Sequence, residues 1–378
     1  MRILVCFLVF IISLDSLAQN FTVADSLYTY GEYSKAIEAY KPFENKSDVA
    51  QKIAKAYVAI GNYDEALAYY EKAILADTKS QLYKYKYAKL LLRVKQLDNA
   101  YLVFEELAKT NITNPNYQYE LGNVKRLLGD STSIKNYEEA YKLDPNHLKA
   151  INQIGRYALV KRNYDKSLKM ANRGLTIYRK SKELTSLKAQ TYYWQEDYFH
   201  AKDWFLKRLT LGEPTQFIYE KLSYCFQRNY EHLGAIKYLE KALEFEPKNG
   251  TNIYLIARQY AFMDDFINAE KYYKQALEIL DKPLDVEYAN LASTLNRQKK
   301  YKEAVETYKQ AIKENSKNDM NLFLLAHTKV QYYKDMDAKI KVYEDFIEKY
   351  PKNSAKMMAE FQLEKLKKEK FMKGKTKD

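Results

Sequence analysis

Apolar and small residues recur along this chain at helical spacing, in pairs of short runs separated by a turn. The stretch from Ser47 to Thr78 shows the unit most plainly. Ile53, Ala54 and Tyr57 make one apolar face, and Tyr63, Ala66, Tyr70 and Ala73 make a second at i, i+3, i+7, i+10, the signature of amphipathic helices. Gly61-Asn62 breaks the chain between them. Asn62 followed by Glu65 is a helix-start capping pair. A lone helical hairpin cannot bury its apolar side, so it needs a copy of itself on each flank.

The copies are present. A small residue recurs in the first helix at Ala24, Ala54, Ala88, Gly122, Gly155, Ala189, Ser223, Ala257, Ala292 and Ala326. Its counterpart in the second helix falls at Ala36, Ala66, Ala100, Ser133, Ser167, Ala201, Ala235, Ala269, Ala304 and Ala338. The two stand at i and i+12 in every hairpin but one, where Gly122 and Ser133 stand at i and i+11. Successive hairpins repeat at i+34 in most steps and at i+30, i+33 or i+35 in the others. Where two helices cross closely, only Ala, Gly or Ser lets the backbones approach, with apolar bulk packed around them. That bulk stands at i+4 from the second small position, as at Tyr40, Tyr70, Phe104, Tyr273 and Tyr308.

The pattern resembles the tetratricopeptide repeat family, whose 34-residue unit has small residues at its eighth and twentieth positions. The resemblance covers residues 19–351 and implies an all-α fold: a right-handed α-α superhelix, or solenoid, of about ten helical hairpins, with the first helices lining a concave groove. Departures mark places where curvature is expected to change. The first hairpin is short and carries Pro42 in its second helix, where a proline bends or ends it. The fourth has lost a residue between Asp130 and Ser133, and the ninth gains one near Lys282-Pro283. The seventh has Tyr230 in place of the turn glycine, and the tenth has one extra residue assigned to its second helix.

Composition agrees with a helical array. With 10 Gly and 7 Pro in 378 residues there is little material for long turns. Formal charge is +13, but 49 acidic residues are interspersed with 62 basic ones, so most of that charge is a solvated helical surface. Two Cys exclude a disulfide framework.

Residues 1–18 form a separate object. Arg2 precedes the apolar run Ile3–Leu14, and Ser16-Leu17-Ala18 supplies small residues at a cleavage site. The run is shorter than the ~20 residues a membrane-spanning helix needs. It reads as a signal peptide cleaved before Gln19, which puts the mature protein outside the cytoplasm, in the periplasm or envelope of a Gram-negative bacterium. At the other end, 352–370 is expected to be a capping helix, apolar at Met357, Met358, Phe361, Leu363 and Leu366, as a repeat array requires. Residues 371–378 are expected to form a disordered basic tail. From Lys352 onward lysines outnumber acids about two to one, a charge able to touch an anionic membrane face.

Little in the chain suggests catalysis. His147, His200, His232 and His327 lie in different hairpins with no metal-ligand spacing, and no phosphate loop, nucleophile elbow or dinucleotide fingerprint is present. Cys225, among Tyr224 and Phe226, reads as a core cysteine, and Asp264-Asp265 as a helix cap. No enzyme activity, cofactor or metal is expected. The candidate site is the groove. The family's inward-facing positions carry Lys55, Lys89, Arg93, Arg126 and Arg156 in the first half, and Arg228, Arg258 and Arg297 in the second. Tyr193, Trp194 and Tyr224 join them, with Tyr85, Tyr119, Tyr254 and Phe262 nearby. Guanidinium groups bind carboxylates bidentately and aromatic rings offer rigid contact area, so this lining suits an acidic or extended segment of a partner protein. Binding of anionic glycan or lipid head groups is the alternative. Single-stranded nucleic acid suits the same residue types, but an exported protein rarely meets it, so no nucleic-acid partner is expected.

Overall fold

The structure is a computed structural model that describes residues 22–281 and 283–375. The expected signal segment, the last three residues of the expected tail and Lys282 of the ninth-hairpin insertion lie outside the described residues. Every regular element among the described residues is helical. The chain divides within the helix Lys182–Trp194 into two compact bodies, one ending at Leu187 and the other starting at Lys188.

The first body stacks five hairpins. Hairpin one pairs helical residues 22–29 with Tyr33–Tyr40, and hairpin two pairs Ser47–Ile60 with Tyr63–Ala76. Hairpin three is Gln81–Arg93 with Leu97–Thr110, hairpin four Pro115–Leu127 with Ser133–Leu143, and hairpin five Leu148–Val160 with Tyr164–Ile177. In the second body, the last turns of Lys182–Trp194 precede Tyr198–Thr210, which completes hairpin six. Hairpin seven is Gln216–Arg228 with His232–Leu243, and hairpin eight Gly250–Phe262 with Phe266–Ile279. Hairpin nine is Asp285–Arg297 with Tyr301–Glu314, hairpin ten Asp319–Tyr332 with Met336–Lys349, and the helix Lys356–Lys375 follows.

Local chemistry sets these boundaries. Asn62 Oδ1 accepts from the Glu65 amide at 3.3 Å, the cap read from the sequence, and Asn163, Asp197, Asn249 and Asp265 cap their helices the same way. The turn inside each of hairpins one to nine contains one left-handed residue. It is glycine only at Gly31, Gly61 and Gly129; Lys95, Arg162, Glu196, Tyr230, Asp264 and Lys299 take it elsewhere, with φ between 56° and 64°, so the turn geometry persists without the glycine that usually permits it. Pro42 ends the second helix of hairpin one, which stops at Tyr40 and tightens into a 3₁₀ turn over Lys41–Phe43.

The small residues sit at the crossings. Ala54 and Ala66, Ala88 and Ala100, Ala257 and Ala269, and Ala292 and Ala304 are fully buried. A Cβ built on Gly122 would lie 2.8 Å from the Tyr137 ring, and one on Gly155 would lie 2.5 Å from Leu187. The bulky residue that follows fills the space around each crossing: Tyr70, Phe104, Tyr137, Phe205, Tyr273 and Tyr308 are all buried.

The carboxy-terminal segment differs from the sequence reading in two respects. The helix runs to Lys375, so 371–375, expected as disordered tail, is helical. No helix breaker precedes Gly374, and Lys367 and Lys370 pair with Glu344 and Asp337 of hairpin ten. Ala359, with the partly buried Leu363 and Leu366, forms its inner face, and with Ala355 just before the helix joins the cluster of Phe323 and Phe346 of hairpin ten; Met357, Met358 and Phe361 are exposed instead. No helix among the described residues is long and apolar enough to cross a membrane.

Candidate partner-binding cavities

The first helices of adjacent hairpins leave a cavity between them at two places. In the first body it lies between hairpins two and three, measures about 580 Å³ and is lined by Lys55, Lys86, Lys89 and Arg93 over Val58, Tyr70, Leu90 and Leu92. In the second body it lies between hairpins eight and nine and measures about 560 Å³. Arg258 and Arg297 line that one, with Tyr254, Phe262, Phe266, Tyr273, Asn290 and Asp264.

The two cavities are built alike. Lys55 and Arg258 are each the ninth residue of a first helix, while Arg93 and Arg297 each close the next first helix at its thirteenth. Tyr70 and Tyr273, each eight residues past the second-helix cap, form the floor. The ninth residue of one first helix meets the far end of the next because parallel stacking repeats every hairpin with the same register.

The cations are held differently. Lys55 is close to Lys86 and Lys52; burial and these like charges together hold its ammonium below the ordinary lysine pKa. Lys89 lies 2.8 Å from Glu120, a buried carboxylate that also receives Asn123 at 3.1 Å and the Tyr85 hydroxyl. Burial and that carboxylate push the Tyr85 phenol up to about 12. Arg93 stacks on Tyr63 at 4.7 Å. In the other cavity Arg258 lies over Phe262 at 5.7 Å, and Arg297 lies over Phe266 at 5.4 Å and 3.5 Å from Asp264.

The remaining sequence-derived candidates do not enter either cavity. Arg126 stands exposed on hairpin four, where the Tyr137 hydroxyl donates to Asn123 Oδ1 at 3.0 Å, and Arg156 stands exposed on hairpin five. Tyr193, Tyr224 and Arg228 join Tyr198 in an interlocked cluster: Tyr193 and Tyr224 rings are 5.5 Å apart, and the Arg228 guanidinium lies 4.8 Å over Tyr198 and 3.3 Å from the Tyr224 hydroxyl. Burial pushes the Tyr193 phenol up to about 12. Trp194 keeps an exposed face, with Lys221 5.9 Å above its ring. The sequence reading missed Lys86. It stands at i−3 from Lys89, on the same face of the helix.

The candidates for chemistry are engaged otherwise. Burial raises the Cys225 thiol to about 12, far from the thiolate a nucleophile needs. His147 caps its helix, His200 meets Asp197 at 2.7 Å, His232 meets Gln259 at 3.0 Å and His327 meets Tyr343 at 2.7 Å. No group of three metal-ligating side chains occurs among the described residues.

Three stretches, 47–80, 252–279 and 288–318, match the tetratricopeptide repeat model, and they fall on hairpins two, eight and nine. The TPR repeat-containing protein YpiA of Bacillus subtilis is 23% identical over 271 residues, 61% of this chain, and the match spans 64% of that relative's length. Among solved structures, a tetratricopeptide repeat protein from Parabacteroides merdae is 17% identical over 65% of this chain and 99% of its own, with a TM-score of 0.49. Yeast Tom70 is 14% identical over 94% of this chain and 96% of its own, with a TM-score of 0.37.

Proposed function

The chain belongs to the tetratricopeptide repeat proteins, and from that premise we propose that it is a non-enzymatic scaffold holding an extended, carboxylate-bearing segment of a partner protein. The observation that carries this reading is the repeated pair of cations, Lys55 with Arg93 and Arg258 with Arg297, each at the mouth of a cavity with a tyrosine floor. A backbone in an extended conformation offers side chains to both faces, and a Glu or Asp entering either cavity meets an unspent positive charge in a partly dehydrated setting. The signal-like run over residues 3–14 supports export to the bacterial envelope as the place where that partner is met.

A competition experiment tests the chemistry. Hexaglutamate is titrated into the protein in the presence of heparin, oligodeoxythymidine or anionic lipid vesicles, with hexaglutamine as the neutral control. The scaffold reading expects saturable hexaglutamate binding that hexaglutamine does not reproduce. Equal binding of hexaglutamine would refute the carboxylate reading. Displacement by heparin at far lower concentration than by hexaglutamate would move the ligand to an anionic glycan, which the Lys-rich cavity around Lys55 and Lys86 also suits.

A further inference from the structure

Hairpin ten departs from the other nine, and the departure opens a third cavity. In hairpins two, six and eight the cap of the second helix falls at i+8 from the small residue of the first: Asn62 after Ala54, Asp197 after Ala189, Asp265 after Ala257. In hairpin ten the cap is Asp335, at i+9 from Ala326, accepting from the Ala338 amide at 2.8 Å. The extra residue therefore sits in the connection, not in the second helix as the sequence spacing implied. The connection is extended at Tyr333 (φ −75°, ψ 144°) and has no left-handed residue.

The shift turns the second helix by one position. Its buried face is Ile340, Tyr343 and Phe346, and Ala338 is only half-buried, off the crossing where its counterparts sit. A second consequence concerns the facing pair formed by the eleventh residue of the first helix and the seventh after the second-helix cap. In hairpins two, seven and eight this pair is aromatic: Tyr57 with Tyr69 at 5.5 Å, Phe226 with Tyr238 at 5.2 Å, Tyr260 with Tyr272 at 5.5 Å. In hairpin ten the same positions hold Lys329 and Val342. Neither position holds a ring, and a cleft of about 640 Å³ lies between the two helices, with Tyr333 and Tyr350 at its edge.

The cleft has an apolar interior of Leu322, Leu325, Val342 and Phe346. Lys329, Lys341 and Lys349 stand around it against the single acid Asp345. We propose that this cleft docks an aromatic side chain carried on an acidic segment of a partner protein. The ring takes the place of the aromatic pair that hairpins two, seven and eight supply from within, and flanking carboxylates meet the three lysines. Aromatic anchors in dehydrated pockets carry most of the energy at such contacts, while rim charges set preference and approach. The site is separate from the first-helix cavities and does not rest on them.

The test uses isothermal calorimetry on the full chain with the blocked pentapeptide Asp-Glu-Trp-Glu-Asp and its Ser-centred counterpart. The Trp peptide should bind saturably and at least tenfold more tightly than the Ser peptide. Val342→Tyr restores the ring found in hairpins two, seven and eight, and should lower Trp-peptide affinity at least tenfold while helical content stays unchanged. Lys341→Glu, an exposed rim change that leaves the fold alone, should lower it severalfold. Equal affinity for the two peptides, or unaltered Trp-peptide affinity in both variants, would overturn the proposal. Lys55→Glu and Arg258→Glu should leave the Trp-to-Ser contrast intact; its loss in those variants would also overturn the assignment to hairpin ten.

Discussion

The cavity between hairpins two and three and the cavity between hairpins eight and nine share their frame and differ in the side chains set on it. Where hairpin three has Lys86 and Lys89, hairpin nine has Asn290 and Ser293. Where hairpin two turns through Gly61, hairpin eight turns through Asp264, whose carboxylate reaches Arg297. Hairpin eight also puts Phe262 beneath Arg258, while Lys55 has two like charges nearby. The first cavity is thus crowded with lysine and short of counter-charge. The second carries two arginines laid on rings with an acid at the rim. A repeat array holds its backbone register through its small and bulky core positions, so the lining positions are free to change charge without moving the helices.

The strongest perturbation strikes both cavities at the floor. Tyr70→Ala or Tyr273→Ala removes a buried ring and should cost about 3–5 kcal/mol, read as faster amide exchange in the two hairpins that share the floor. Exchange that stays slow in those helices would show that the floor is not part of the packing. Next is Glu120→Gln, which leaves Lys89 without its buried partner. Loss of a buried charge-assisted bond should lower stability by about 1–3 kcal/mol, while hexaglutamate affinity of the first body rises severalfold in calorimetry.

Alkaline titration separates the cavities by their cations. Burial and like charge hold Lys55 below 10.5, so its ammonium loses its proton earlier than a free lysine as pH rises, whereas guanidinium groups in general do not titrate in that range. Carboxylate binding in the first body should therefore weaken below pH 10.5, and binding in the second should persist there. The stability sign is the opposite of a salt-bridged lysine's: with the folded pKa depressed, the folded state gains as pH rises from that lowered pKa to 10.5. Lys55→Met should consequently leave stability at neutral pH unchanged or raise it by a few tenths of a kcal/mol, given how exposed the group is, while carboxylate affinity falls about tenfold. The weakest effect belongs to Asp264→Asn. An exposed pair of this kind contributes about 0–1 kcal/mol, so thermal stability should barely move while hexaglutamate binding in the second body improves through the released Arg297.

The frame was legible in the sequence because it is local. Small residues at i and i+12, capping pairs such as Asn62 and Glu65, and bulky residues such as Tyr70 and Tyr273 depend on helix geometry within one hairpin. They placed the hairpins and singled out Lys55, Arg93, Arg258 and Arg297, which line the two cavities. What escaped the sequence depends on contacts between hairpins. Glu120 reads from the sequence as a charge opposing the groove cations, but its pairing with Lys89 of the preceding hairpin does not, and the ring cluster of Tyr193, Tyr198 and Tyr224 spans two hairpins. The register of hairpin ten escaped for a different reason: Ala338 stands at i+12 from Ala326 and imitates the repeat, while the cap at Asp335 sets the actual register. At the carboxy-terminal helix Leu363 and Leu366 pack inward as the sequence pattern has them, but with Ala359 rather than Met357, Met358 and Phe361, which are exposed.

The sharpest probe of paired cations as the carboxylate site is calorimetry of hexaglutamate against three variants: Lys55→Glu with Arg93→Glu, Arg258→Glu with Arg297→Glu, and all four together. Helical content and melting would be recorded alongside. We expect each pair to remove one class of site and the fourfold variant, still folded, to bind at least a hundredfold more weakly than the native chain. A folded fourfold variant with native affinity would place carboxylate recognition away from these cavities and contradict their assignment.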